Sequence, residues 1–191
     1  MSDRPEYLQS ADEVDMEAQE QGIRTAGWIS TVILACGVAA GYYLLPRIFE
    51  FPTELVDRMA FAAKASIFVL VWVLIGVMMV STGRRRSPKD IGGSAAAPPS
   101  DEIAVYVAFL QNSLEQAVLA VGAYWALSAL VKGPWLSVIV VGVVFFTVGR
   151  ILFLAGYKKS ARGRALGMTL TMLPTLAGYA LAIILMGRGL F

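Results

Sequence analysis

Residues 135–156 read WLSVIVVGVVFFTVGRILFLAG, an apolar block interrupted by one charge, Arg150. A block of about 18 or more apolar residues is long enough to cross the hydrocarbon core of a bilayer as a helix. The same reading holds outward from this block for residues 28–45, 59–81, 101–131 and 165–186. The chain therefore reads as an all-α integral membrane protein with five spanning helices. Composition agrees: of 191 residues 57% are hydrophobic and only 16% charged, too few charges to cover a water-facing surface.

The connections are as telling as the spans. Pro46 and Pro52 break the chain after the first span, and Lys132-Gly133-Pro134 makes a tight turn after the third. Residues 82–102, with Arg84, Arg85, Arg86, Lys89 and Pro98-Pro99, have the composition of a linker that buries no core. Asp101 and Glu102 then open the third helix, where acidic groups suit the positive end of the helix dipole. Residues 1–27 form an acidic extension with helical tendency around Glu13–Gln21, unlike the basic start of a cleaved signal peptide. Trp28, Tyr42 and Tyr43 stand at the ends of the first span, as interfacial aromatics do.

Two basic groups orient the chain. Arg84–Arg86 with Lys89 follow the second span, and Lys158, Lys159, Arg162 and Arg164 follow the fourth, so both groups fall on one side. An excess of Lys and Arg marks the cytoplasmic side. That places the N-terminus in the cytoplasm and the C-terminus across the membrane, with an inner (plasma) membrane as the expected location.

Several chemistries are excluded. Histidine is absent and Cys36 is the single cysteine, which removes disulfides, the usual zinc sites and every His-based triad; no metal site is expected. Cys36 itself reads as a small apolar residue buried in the first span. The net charge is +2 and no basic stripe is interleaved with aromatics, so nucleic acid is not an expected partner.

Charged residues inside a span cost a few kcal/mol and need a partner or a function. Glu115 in the third helix and Arg150 in the fourth stand out. Asn112, Glu115 and Gln116 are spaced to share a helical face, and Arg150 and Tyr157, seven apart, share another. The third helix leaves the cytoplasmic side and the fourth returns to it, so the two faces lie at similar depth and can meet. One reading is structural: a buried Glu115–Arg150 ion pair, with Asn112 and Gln116 bonding between helices. The other is a polar pocket open to the cytoplasm, holding a small zwitterionic or anionic ligand through paired guanidinium hydrogen bonds. A transporter using Glu115 and Arg150 as a coupling pair is disfavoured, since the spans show neither an inverted repeat nor paired broken helices.

The run FLQNSLEQ at residues 109–116 resembles the Asn-x-x-Glu signature of the MAPEG family, the membrane-associated proteins of eicosanoid and glutathione metabolism. The run GRILFLAGY at residues 149–157 resembles that family's second signature, an Arg followed seven residues on by Tyr, and Arg164 falls seven beyond that Tyr. The resemblance covers residues 57–191 and implies a four-helix transmembrane core. Residues 28–56 would then be an added transmembrane helix with its connection, behind the extension at 1–27.

The family implies a homotrimer with glutathione, the co-substrate, bound between subunits near the cytoplasmic face. Carried onto this chain, Asn112, Glu115 and Gln116 would contact the glutathione backbone and Tyr157 a carboxylate or amide. Arg150 would hold the pocket, and Arg164 would be the catalytic residue favouring the thiolate. A guanidinium beside a thiol lowers its pKa from the free value of about 8.5 and so raises the nucleophilic fraction. The implied activity is a glutathione-dependent transferase or peroxidase acting on lipophilic electrophiles from the bilayer. Two positions depart from the family pattern: Ala108 stands where an Arg is common, and Phe153 where a Tyr is common. They leave open a non-catalytic lipid-binding or scaffolding protein of the same fold, or compensation by Arg84–Arg86.

Overall fold

In lipid every backbone N–H and C=O must find its partner inside the protein, so apolar blocks of this length become continuous helices. The computed structural model describes residues 14–157 and 159–189. It shows five helices: α1 (Met16–Leu44), α2 (Leu55–Arg86), α3 (Asp101–Leu130), α4 (Ser137–Tyr157) and α5 (Ala161–Gly189). All five are long and apolar enough to cross a membrane, and the described residues contain no strand. Expectations for residues 1–13 and Lys158 fall outside the described residues.

The helices overrun the spans expected from hydropathy, for local reasons. The Asp15 side chain accepts a hydrogen bond from the Ala18 N–H at 3.0 Å and starts α1 well before Trp28, so the last part of the acidic extension is continuous with the first span. At the end of α2, Arg84, Arg85 and Arg86 occupy the last helical turn rather than the linker, where their charge suits the negative end of the dipole. Pro46 closes α1 through a short 3-10 turn, while Pro174 lies inside α5 without ending it. Gly133 takes the positive φ of 57° that turns the chain from α3 toward α4.

The connection between α2 and α3, expected to be a free linker, is tied down. Its non-helical part spans residues 87–100, and the buried Asp90 is its clasp. Asp90 accepts from the Ser100 N–H at 2.9 Å and from the hydroxyls of Ser100 and Ser87 at 2.6 and 2.5 Å. Composition gave no sign of this, because one carboxylate supplies all three acceptor contacts. The Ser100 N–H bond first, and then the two hydroxyl bonds, hold the Asp90 carboxyl below its usual range. A depressed native pKa contributes stability that is complete above the unfolded value of about 3.9 and is lost as pH falls through the native one. Hydrogen-exchange protection across residues 87–100, taken relative to the intrinsic rate at each pH, is therefore expected to be lost in acid. Asp90→Asn, which loses acceptors, should make this segment exchange fast at neutral pH and remove that acid step.

Consecutive helices pair as hairpins, α2 with α3 and α4 with α5, and α1 lies against α5 and α4. The core between them is built on small residues such as Ala62, Ala117, Ala120 and Ala182, which allow close helix approach where lipid offers no hydrophobic driving force. α4 and α5 meet backbone to backbone. A Cβ on Gly167 would lie 2.6 Å from the Gly149 carbonyl oxygen, and one on Gly156 would lie 2.5 Å from the Gly163 carbonyl carbon. Large apolar side chains such as Val32, Phe68, Leu74 and Ile183 point outward, as a lipid-facing surface requires. Cys36, expected to be buried, is exposed on α1. It is small and apolar enough to face lipid at no cost, so nothing in its chemistry chooses the inside.

Arg58, unremarked in the sequence, is buried at the first turn of α2. Its guanidinium donates to the Val131 carbonyl at 2.5 Å, satisfying a carbonyl that the end of α3 leaves without a helical partner.

Candidate functional site

The basic end of the bundle carries the last turn of α2, the start of α1, and the α4–α5 turn. Near it, α4 places Arg150 with no exposed surface, between the rings of Phe153 and Phe146 at 4.7 and 5.6 Å. Its guanidinium donates to Asn112 Oδ1 of α3 at 2.7 Å and to Thr171 Oγ1 of α5 at 2.9 Å. One side chain thus joins three helices. Thr171 itself donates to the Gly167 carbonyl at 2.8 Å, which fixes its oxygen toward Arg150.

The Glu115–Arg150 ion pair that the sequence allowed is not formed. Glu115 is exposed on the outer side of α3, and its carboxylate accepts from Gln111 Nε2 at 3.2 Å. The reason is rotation. At 3.6 residues per turn, Gln116 lies about 40° to one side of Asn112 and Glu115 about 60° to the other. Their shared face straddles the boundary of the bundle. Gln116 points in and is buried, with Oε1 lacking a hydrogen-bond partner; Asn112 stands at the margin and Glu115 outside.

A groove of about 370 Å³ brings together Asn112, Tyr157 and Arg164, with Ala108, Phe153, Met168 and Met172 among its apolar lining. Arg150 stands behind it and holds Asn112. Arginine only donates, so the Asn112 atom facing it must be the oxygen, and the amide N–H pair is left as donor. The Arg164 guanidinium lies 4.4 Å over the Tyr157 ring, a cation–π contact, and Tyr157 packs edge-on against Phe153 at 5.4 Å. Arg164 has no carboxylate partner among the described residues. It projects from the first turn of α5, where the helix dipole also favours an anion.

The groove holds three of the six expected site residues in one place. Arg150 supports them, Gln116 is turned into the core, and Glu115 stands on the outer surface beside them. Ala108 and Phe153 both line the groove, so the two departures from the family pattern lie in the site itself. Arg86 lines a different cavity of about 640 Å³, between α2 and α3, with Glu102 and Tyr106, and no residue lines both. Arg84, Arg85 and Arg86 are absent from the lining of the groove that holds Arg164.

Thr171, Thr169 and Ile23 carry no signal of their own in the sequence. Lys64, by contrast, is a charge within the second span and is visible in the sequence alone. Lys64 is exposed on α2, in a separate cavity of about 490 Å³ that includes Asp57, Phe61 and Phe68. Among the described residues no cluster of His, Cys, Asp or Glu could hold a metal.

The family model described as MAPEG family matches residues 59–184. No curated protein and no solved structure matches the chain.

Proposed function

The chain belongs to the MAPEG family, and from that premise we propose that it is a glutathione-dependent transferase or peroxidase acting on lipophilic electrophiles in the membrane. One observation carries the reading: Arg164, an arginine without a carboxylate partner among the described residues, is stacked on Tyr157 in a groove that Asn112 also lines.

Asn112, oriented by the buried Arg150, offers its amide donors to a carbonyl or carboxylate of glutathione. The Tyr157 hydroxyl offers a further hydrogen bond. The Arg164 guanidinium would supply the positive charge that favours the thiolate. Lowering a thiol from about 8.5 by about two units raises its ionised fraction at pH 7 from about 3% to about 75%. The thiolate then attacks the electrophilic carbon, forming a C–S bond while the displaced electron pair leaves with its group or moves to the conjugated acceptor.

Glu115 supports assembly. A carboxylate facing lipid within a span costs up to about 3 kcal/mol on insertion scales, so the outer side of α3 calls for cover. A second copy of the chain, in a homotrimer, would cover Glu115 and roof the groove, and the carboxylate would meet the glutathione amine. The basic end then faces the cytoplasm, together with the N-terminus.

A second reading, a lipid-binding scaffold without thiol chemistry, is favoured by one observation. Ala108 and Phe153 make the groove less polar where an Arg and a Tyr are common in the family.

The near-ultraviolet thiolate band of purified protein titrated with glutathione separates the two. Wild type is expected to show a saturable band at pH 7. Arg164→Ala is expected to lose it, the thiolate fraction at pH 7 falling on the order of 20-fold as the thiol returns to its free pKa, with a slower conjugation rate. A wild type with neither band nor heat of binding would sink the transferase reading and leave the scaffold.

A further inference from the structure

We propose that α1, which lies outside the family match, is a working wall of the ligand groove, and that Ile23 sets how much bulk the groove accepts beside the thiolate. This deepens the transferase reading above and rests on it.

The four-helix core matched to the family begins at residue 59, so nothing in that match calls for α1. Yet the N-terminal half of α1 is fastened to α5 at two levels. Gln19, buried, accepts from the Arg162 N–H at 2.8 Å through Oε1 and so takes one of the donors that the first turn of α5 leaves open. Ser30, fully buried, shares a 2.6 Å hydrogen bond with Thr169, a residue of the groove. Gly22 lets the two helices close up, since a Cβ there would run into the Arg162 side chain, 2.6 Å from its Cβ. A helix lodged in lipid merely as an anchor needs none of these contacts.

Ile23 lies between the two fastenings and lines the groove. Gln19 and Gly22 meet Arg162, and Ala26 and Ser30 meet Thr169, so Ile23 falls at the level of Arg164. Below it the groove runs along α5 past Met168 to Met172, about 12 Å from Arg164 at the helical rise. Those two methionines are flexible and adapt to a chain laid along them, whereas a β-branched isoleucine is stiff. The groove thus has a stiff wall where sulfur would sit and a pliant one further in. That shape suits straight-chain apolar electrophiles and opposes branching at the carbon that sulfur attacks.

S-butylglutathione and S-tert-butylglutathione contain the same atoms and differ only in branching at that carbon. Their binding, measured by calorimetry with glutathione itself as reference, tests the wall. Wild type is expected to prefer the straight chain by about tenfold, the scale set by one or two methyl groups in a fitted pocket. Ile23→Ala is expected to reduce that preference several-fold and Ile23→Val to reduce it less. Ile23→Phe is expected to increase it. Ile23 is 44% exposed, so these variants should fold. Normal glutathione binding with the same branched-to-straight ratio in all four proteins overturns this inference alone. Absence of binding by glutathione and both derivatives in wild type overturns it together with the transferase reading.

Discussion

Gly167→Ala is expected to cost about 3 kcal/mol or more of stability, a large effect for one added methyl group. The new Cβ would run into the Phe153 backbone N–H and lie 2.6 Å from both the Phe153 Cα and the Gly149 carbonyl oxygen. All three contacts are backbone of α4, so no rotamer change relieves them and the two helices must part. Parting them also pulls on Thr171 and Arg164, both on α5, and so loosens the Arg150 bond and the stack on Tyr157. Unfolding by a denaturing detergent should show the loss, and glutathione binding should weaken in whatever protein remains folded. Gly178→Ala is the control. Its Cβ would lie 3.2 Å from the end of the Leu127 side chain, which can give, and alanine is about 1 kcal/mol the better helix former. That variant is expected to be neutral or slightly more stable. Equal damage from both would mean that any methyl on α5 is costly and that the α4–α5 backbone contact is not special.

Arg150→Ala is expected to be the second severe change, costing about 3–4 kcal/mol. It leaves a cavity among Phe146, Phe153 and Thr171 and deprives Asn112 Oδ1 of its donor. Arg150→Lys should recover only part, because an ammonium lacks the planar fork that reaches two helices at once. Asn112 loses its orientation in the alanine variant, so glutathione binding should fall by about tenfold or more even where the protein folds. Glu115→Gln separates this arrangement from a buried ion pair. An ion pair would make the two losses comparable in size. With Asn112 and Thr171 as the true partners, Glu115→Gln should not lower the unfolding midpoint, while it should weaken glutathione binding. A midpoint falling as far for Glu115→Gln as for Arg150→Ala would refute the arrangement described.

Much of the candidate site could be read from residue spacing. Spacing puts Asn112, Arg150 and Tyr157 at similar depth near one end, and Arg164 enters through the family resemblance; Asn112, Tyr157 and Arg164 line one groove with Arg150 behind it. Depth was legible because it follows from counting residues along spans of known direction. Rotation was not. In a soluble helix the polar side marks the outside, but here the outer faces meet lipid and the inner faces meet protein, and both are apolar. Phe68 faces out and Phe146 faces in, and their chemistry gives no hint of which is which. Glu115 shows the same gap: its spacing placed it with Asn112 but could not say that the boundary of the bundle runs between them.

The amino-acid sequence alone was sufficient for the spans, their order, the family and the end of the bundle where the polar residues gather. Hydropathy against bilayer thickness is a local property, as is the need of each helix to satisfy its own backbone. Only the tertiary structure decided that Arg150 binds Asn112 and Thr171, that Asp90 clasps residues 87–100, and that α1 fastens to its own α5 through Gln19 and Ser30. Each of these depends on how helices turn and approach one another. In a membrane that is settled by small residues, close backbone contact and single hydrogen bonds between distant positions, none of which leaves a periodic trace in the chain.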